Sequence, residues 1–144
     1  MKTNQTIDQQ WARVKITPKT CPTKFALKLF KKWSIEIIRD IWFGEERFSD
    51  ILKANPGLST KVLSQRLREL EQYNIIEKII ISKTPLRAIY QLTEKGRALN
   101  RIMYDLAMFS YDYYAQEIFE GKPPSRSDMV EASGNIFGLN PVDI

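Results

Sequence analysis

The stretch from Leu58 to Ile75, LSTKVLSQRLRELEQYNI, constrains the fold most, because it carries the start and stop signals of a helix together. Ser59 can accept a hydrogen bond from the free N–H groups of a first turn, and Asn74 tolerates the left-handed conformation that ends a last one. These signals predict a helix from Thr60 to Tyr73. Leu58 is placed to staple onto Leu63, and Ile75 to close over Leu70. Leu63, Leu67 and Leu70 recur on one face, which defines a buried side. The opposite face reads Lys61, Gln65, Arg68 and Gln72, with Ser64 at its edge. Such donor-rich side chains read base edges or hold phosphates in a DNA groove, although a solvated amphipathic helix would look the same in isolation.

The flanking chain supplies a context. A helix from Ser34 to Phe43 is expected, capped by Ser34, stapled by Trp33 onto Ile38 and ended by Gly44; its apolar side is Ile35, Ile38, Ile41 and Trp42. Arg47-Phe48 begins a short helix to about Ala54, with Phe48, Ile51 and Leu52 inward, and Asn55-Pro56-Gly57 turns into the capped basic helix. Helix, short turn, basic helix is the arrangement of a helix-turn-helix. The period then changes. Ile76–Ile81 and Ala88–Leu92 read as two strands joined by the loop 82–87, a hairpin with a basic tip. A hairpin at this place is the wing of a winged helix, so Lys83 and Arg87 are candidates for the minor groove or phosphate, against the plain alternative of a charged, solvated loop.

A long helix is expected from Thr93 as cap to about Phe119, with Gly96 as a weak point in it rather than a stop. Leu99, Ile102, Leu106, Phe109 and Tyr113 follow alternating three and four spacing, a seam suited to another helix. Met103, Met108, Tyr111 and Tyr114 add more apolar surface than one face of a small domain needs. A homodimer would bury it; packing against the chain's own first helix is the alternative. The candidate dimer contacts are Leu99, Ile102, Met103, Leu106, Phe109 and Tyr113. After Gly121 the GKPPSRSD stretch is a linker signal, and residues beyond it to Ile144 show no periodic pattern.

At the other end, residues 1–20 are polar and aperiodic, interrupted by Pro18, with Trp11 as a possible anchor; a mobile arm is expected. Cys21-Pro22 opens a short helix with Phe25, Ala26, Leu29 and Phe30 as its stripe. Cys21 would sit at a helix start with Lys24 and Lys28 nearby, an environment that favours a thiolate, or it could be an inert small residue.

Charge and composition bound the function. The net charge of +5 is unevenly spread, since residues 15–39 hold seven basic residues against one acidic, and 47–101 hold eleven against five. Residues 102–144 reverse this with two basic against seven acidic. A basic body of this kind suits a polyanion. The absence of histidine removes the commonest general base and metal ligand, and no phosphate-cradling glycine motif is present. No enzyme, cofactor or metal is expected. No apolar run approaches a membrane span, the polar start lacks the core of a signal peptide, and one cysteine forms no internal disulfide, so a cytoplasmic protein is expected.

The order Cys21-Pro22, Lys32-Trp33, Gly44, Arg47-Phe48, Pro56-Gly57-Leu58-Ser59, Lys61, Leu63, Arg66-Leu67, Leu70-Glu71, Pro85, Arg87, Tyr90, Leu92-Thr93 and Gly96 resembles the HxlR-type transcriptional regulators. These are winged helix-turn-helix proteins related to the MarR group, and the resemblance covers roughly residues 21–114. It implies a mainly α fold with a small β-hairpin and a long C-terminal dimerisation helix. The expected organisation is an arm at 1–20, a winged-helix domain with its dimerisation helices at 21–120 and a tail at 121–144. The resemblance further implies a homodimer on double-stranded DNA at a pseudo-palindromic operator, with the second helix of the motif in the major groove and the wing beside it. Ser59, Thr60, Lys61, Ser64, Gln65, Arg66, Arg68, Lys83 and Arg87 are the candidate DNA contacts; Arg66, toward the leucine side, is expected to hold phosphate or brace the fold. Some members sense oxidants or electrophiles through a cysteine before the first helix, the place of Cys21. A winged-helix module that binds protein instead of DNA is the alternative. The chain departs from the family pattern at Phe30-Lys31, where a glycine pair is usual, and at Asn74, where glycine follows the recognition helix.

Overall fold

The computed structural model describes residues 9–10, 12–17 and 19–139. The expected anchor Trp11, the expected break at Pro18 and the last five residues lie outside the described residues. Within the arm, residues 9–10 and 12–13 carry helical backbone. The elements then follow as α1 (Pro22–Ala26, continued by a 3-10 turn over Leu27–Leu29), α2 (Ser34–Trp42), α3 (Phe48–Ala54) and α4 (Thr60–Gln72). A hairpin of β1 (Ile76–Lys83) and β2 (Leu86–Leu92) precedes α5 (Glu94–Arg97), α6 (Asn100–Ile118) and α7 (Arg126–Phe137).

The core is one cluster beneath the helix-turn-helix. Ile37, Ile38 and Ile41 of α2, Ile51 of α3, and Leu63, Leu67 and Leu70 of α4 close on one another, with Ile75, Ile76, Tyr90 and Leu92 at the hairpin base. The leucine spacing of α4 therefore buries the face it was expected to bury. Both caps form: the Ser59 hydroxyl accepts from the Val62 N–H at 3.2 Å, and Asn74 stands at φ +56°. Beyond it the Asn74 N–H donates to Glu71 O and the Ile75 N–H to Leu70 O, each at 2.9 Å, the paired bonds of a Schellman end.

Three local expectations are corrected. Ser34 does not cap α2. The Ser34 N–H donates to Lys31 O at 2.9 Å in a tight turn, which draws Ser34 into the helix and leaves Trp33, at φ +75° and without a side-chain cap bond, in the cap position. The long helix from Thr93 is two helices. Thr93 does cap the first, its hydroxyl accepting from Gly96 N–H at 3.0 Å, but the Leu99 N–H then bonds to Gly96 O in a tighter turn before α6 begins. The expected tail contains α7, whose Phe137 enters the core and packs edge-on to Trp42 with ring centroids 5.8 Å apart. The Trp42 indole N–H donates to Ile136 O, and the Tyr111 hydroxyl to Pro124 O. The helix that packs along α6 is thus α7.

The hairpin is longer and its turn shorter than expected. Strand pairing runs from Ile76 opposite Leu92 to Lys83 opposite Leu86, leaving only Thr84-Pro85 at the tip. Register slips by one residue between Ile80 and Ser82, so Ile81 is the extra residue of a bulge.

Gly96 is a packing requirement rather than a weak point in a helix. A Cβ built there would lie 2.1 Å from Ile75 O and 3.1 Å from the Leu92 side chain. Gly96→Ala is therefore expected to destabilise the fold by about 1–3 kcal/mol, the usual cost of overpacking a rigid site. Urea unfolding that matched the wild type would contradict this reading.

Candidate nucleic-acid interface

The exposed face of α4 carries Thr60, Lys61, Gln65, Arg68 and Gln72, all outside the core. Ser59 is occupied as the cap, and Ser64 is half-buried at the edge. The Gln65 amide donates to Glu69 Oε1 at 3.2 Å along the helix, and the Arg68 Nε–H donates to Ser64 O at 3.3 Å. Both bonds are local and exposed, so a competing donor–acceptor pattern on a groove floor could replace them.

Arg66 is placed differently. Its Nε–H donates to Lys32 O at 2.9 Å and its Nη1–H to Glu69 Oε2 at 3.1 Å, with the side chain only 15% exposed. These bonds are those of the brace, one of the two roles expected for it. Lys31, one of the two departures from the family's glycine pair, completes this brace through an ion pair to Glu69 at 3.1 Å. Burial pushes the Glu69 carboxyl up, but hydrogen bonds from Lys31 and Gln65 and the charges of Arg66 and Lys31 bring it below the ordinary carboxylate value.

Between α4 and the hairpin runs a cleft in two connected parts. Ser64, Arg68 and Lys78 line the part against α4, and Phe48, Lys78 and Tyr90 recur in the outer part, where Arg47, Ile81, Leu86 and Arg87 join them. The outer part holds about 670 Å³. Lys83 is exposed at the end of β1 and Arg87 at the start of β2, so both candidate wing cations stand at the tip. Arg47 and Lys78 were not singled out from sequence. Arg47 looked like the residue before a helix, and only the pairing register places Lys78 opposite Tyr90, with its ammonium 6.0 Å from the ring centre.

A polar cluster joins the middle of α2 to α3 and the turn that follows it. Arg39 donates twice to Asp40 Oδ1, at 2.9 and 2.7 Å, and Asn55 donates to Asp40 Oδ2 and to Ile51 O. Asp40 and Asn55 are each 4% exposed. A helix-end aspartate among acids and an asparagine in a turn gave no sequence signal that they would meet.

Of the candidate dimer contacts, Leu106, Phe109 and Tyr113 are exposed, Leu99 and Ile102 are half-buried, and Met103 lies in the protomer's own core at 5% exposure. Met103, expected on the seam, thus packs within the protomer's own core cluster. On α1, Phe25 and Leu27 are more than 60% exposed. Cys21 is a free, half-exposed cysteine at the start of α1, its Sγ 3.0 Å from Thr23 Oγ1. The Thr23 hydroxyl first, then its backbone, hold the thiol below its ordinary value; the neighbouring lysine charges expected to do this are not the cause. Among the described residues there is no cluster of possible metal ligands, and no helix is long and apolar enough to cross a membrane.

Comparison with known proteins decides the family, since the HxlR-like helix-turn-helix profile matches residues 28–118. The chain belongs to the HxlR family. It is 40% identical over 89 residues to the HTH-type transcriptional regulator YodB of Bacillus subtilis, covering 60% of this chain and 79% of YodB. It is 36% identical over 101 residues to the HTH-type regulator sll1512 of Synechocystis, covering 69% of this chain and 75% of that protein. Among solved structures, reduced YodB superposes with a TM-score of 0.57 at 36% identity, covering 70% of this chain and 97% of YodB. The oxidised redox regulator HypR gives 0.55 at 26% identity, covering 64% of this chain and 96% of HypR. This HxlR protein is thus a mainly helical winged helix with one antiparallel hairpin, in a family of helix-turn-helix transcriptional regulators. The match ends at residue 118, one element before α7.

The opposite placements of Arg66 and Arg68 give a direct test. Arg66→Ala is expected to cost about 1–3 kcal/mol of stability, because it strips a hydrogen bond from the Lys32 carbonyl and a charged one from Glu69. Arg68→Ala should leave unfolding unchanged within about 0.5 kcal/mol. Paired thermal melts check both.

Proposed function

We propose that this HxlR protein is a sequence-specific DNA-binding transcriptional regulator that works as a homodimer on a pseudo-palindromic operator. The observation that carries the reading is the cleft between α4 and the wing, lined by Ser64, Arg68 and Glu71 of α4 and by Lys78, Arg87 and Arg47 opposite, beside the exposed face of α4 that bears Lys61 and Gln65. A helix of about 10–12 Å diameter fits the major groove, and a neighbouring hairpin then meets the adjacent backbone and minor groove. Lys61, Ser64, Gln65 and Arg68 read bases; Thr60, Lys83 and Arg87 hold phosphate and position the protein. Arg66 acts from behind by holding α4 to the segment that follows α1.

The dimer reading rests on exposed apolar surface. Phe109, with Tyr113 at 4.9 Å between ring centres and Tyr114 at 6.2 Å, forms an aromatic patch on α6, and Leu106 extends it. A second copy of α6 is the partner that a two-fold operator calls for. Cys21 supplies the response to oxidants or electrophiles: its thiol is accessible, and its pKa is lowered by Thr23. The relatives point the same way, YodB being known in reduced, diamide-treated and quinone-bound forms and HypR as a redox regulator.

Fragments selected from genomic DNA at physiological salt test the reading as a whole, and salt-dependent binding to paired half-sites is the expected result. No salt-dependent duplex binding would favour a protein-interaction module. On a selected fragment, Gln65→Ala should lose about 1–3 kcal/mol of discrimination at one base pair, whereas Arg87→Ala should weaken all sequences alike and reduce the salt slope by about 1. Phe109→Glu should yield monomers in sedimentation and lose two-site binding. Oxidant should change operator affinity in the wild type and leave Cys21→Ser unaffected; an equal response in both proteins removes Cys21 from the mechanism.

A further inference from the structure

The wing is apolar where a soluble hairpin is usually polar. Ile80, Ile81 and Leu86 are 52%, 58% and 66% exposed, and Ile79 is 36% exposed. A two-stranded hairpin that served only to cover the core would carry polar residues at these positions, since exposed apolar strands invite aggregation. The same hairpin holds Lys78, Lys83 and Arg87 against a single acid, Glu77, and Arg47 faces it across the cleft. The apolar tip is also continuous with the cleft that begins at Arg68 on α4, because Ile81 and Leu86 line its outer end. Its occupant must therefore be both polyanionic and able to receive apolar side chains.

Duplex DNA meets both conditions in its minor groove, where aliphatic side chains wedge against or between base steps while cations neutralise the flanking phosphates. We propose that the wing tip is a minor-groove wedge that bends the operator. Ile81 and Leu86 press into the minor groove next to the major groove held by α4, and Lys83 and Arg87 grip the phosphates on either side. The bulge at Ile81 is the device that makes this possible, since it twists the strand and re-aims its side chains near the tip. The consequence is sequence preference at a position without base hydrogen bonds: flexible pyrimidine–purine steps beneath the wing bind better than stiff A-tracts. This inference rests on the DNA-binding reading and adds deformation of the DNA to it.

The test uses full-length protein and a fragment selected by it, with a dye at each end so that energy transfer reports the bend. The wild type should bend the duplex by roughly 20–90°. Ile81→Ser/Leu86→Ser, whose positions are exposed so that thermal unfolding should be preserved, should bind about tenfold more weakly and leave the duplex nearly straight. It should also lose the preference for a pyrimidine–purine step under the wing. Arg87→Ala should keep the bend while reducing the salt slope. Wild-type binding to a straight duplex, or an undiminished bend with the double variant, overturns the wedge and leaves DNA binding standing. A double variant that binds and bends normally but changes the sedimenting species assigns the apolar tip to a second copy and also overturns it. Failure of the wild type to bind any duplex removes the DNA-binding reading and the wedge with it.

Discussion

Three consecutive carbonyls just after α4 join its end to the residues that follow the hairpin. Tyr73 O receives the Lys95 ammonium at 2.8 Å, Asn74 O receives the Thr93 hydroxyl at 2.6 Å, and Ile75 O receives the Thr93 N–H at 3.0 Å. Gly96 lies against the last of them. Helix-terminal carbonyls have no partners within their own helix, so each must find one outside or be solvated. Here the partners come from the residues that close the hairpin and begin α5. The same few bonds therefore fix where α4 ends, where the wing starts and where the chain leaves for α6. The path of the chain from α4 to α6 passes through this junction.

A second constraint acts at the other side of α4. The Asp40–Asn55 pair ties the end of α2 to the turn before α4, and the Lys31–Glu69–Arg66 set ties the middle of α4 to Lys32. Exposed ion pairs contribute little by themselves, so Lys31–Glu69 matters less for its own energy than for its company. Arg66 makes directional hydrogen bonds to a backbone carbonyl and to the same carboxylate, which fixes the rotation of α4 about its axis. That rotation decides which of Lys61, Gln65 and Arg68 faces outward. The segment that bears Cys21 leads directly into Lys31 and Lys32, the residues to which the middle of α4 is tied.

How much of this was legible in the sequence follows from how local each signal is. The caps of α4, its leucine face, the hairpin and the helix-turn-helix order were legible because each depends on residues a few positions apart. The inward turn of Arg66 was half legible, from its angle toward Leu63 and Leu70. Asp40 with Asn55 and Lys78 with Tyr90 were not, because only tertiary packing and strand register bring them together. Gly96 read as a helix weakness for the same reason: the Ile75 carbonyl that requires it is twenty-one positions away. The α7 helix was missed because it has little amphipathic contrast. Its buried residues include Ser133 and Gly134, small groups that permit close approach without marking an apolar stripe.

The surplus of apolar residues on α6 has a divided answer. A helix buried on one side by its own domain has an apolar stripe of about 100° or somewhat more, and α6 exceeds it. Met103, Tyr104 and Met108 account for one portion, being buried beneath the protomer's core and α7. Leu106, Phe109, Tyr113 and Tyr114 account for the rest and remain outside. Had α7 been absent, both portions would compete for a partner, and the docking angle of a second copy would be set loosely. With α7 in place one side is filled, so a partner helix has a single apolar strip to meet. In the homodimer proposed above, α7 would thus narrow the ways in which two copies of α4 can be spaced, which is the quantity a two-fold operator selects.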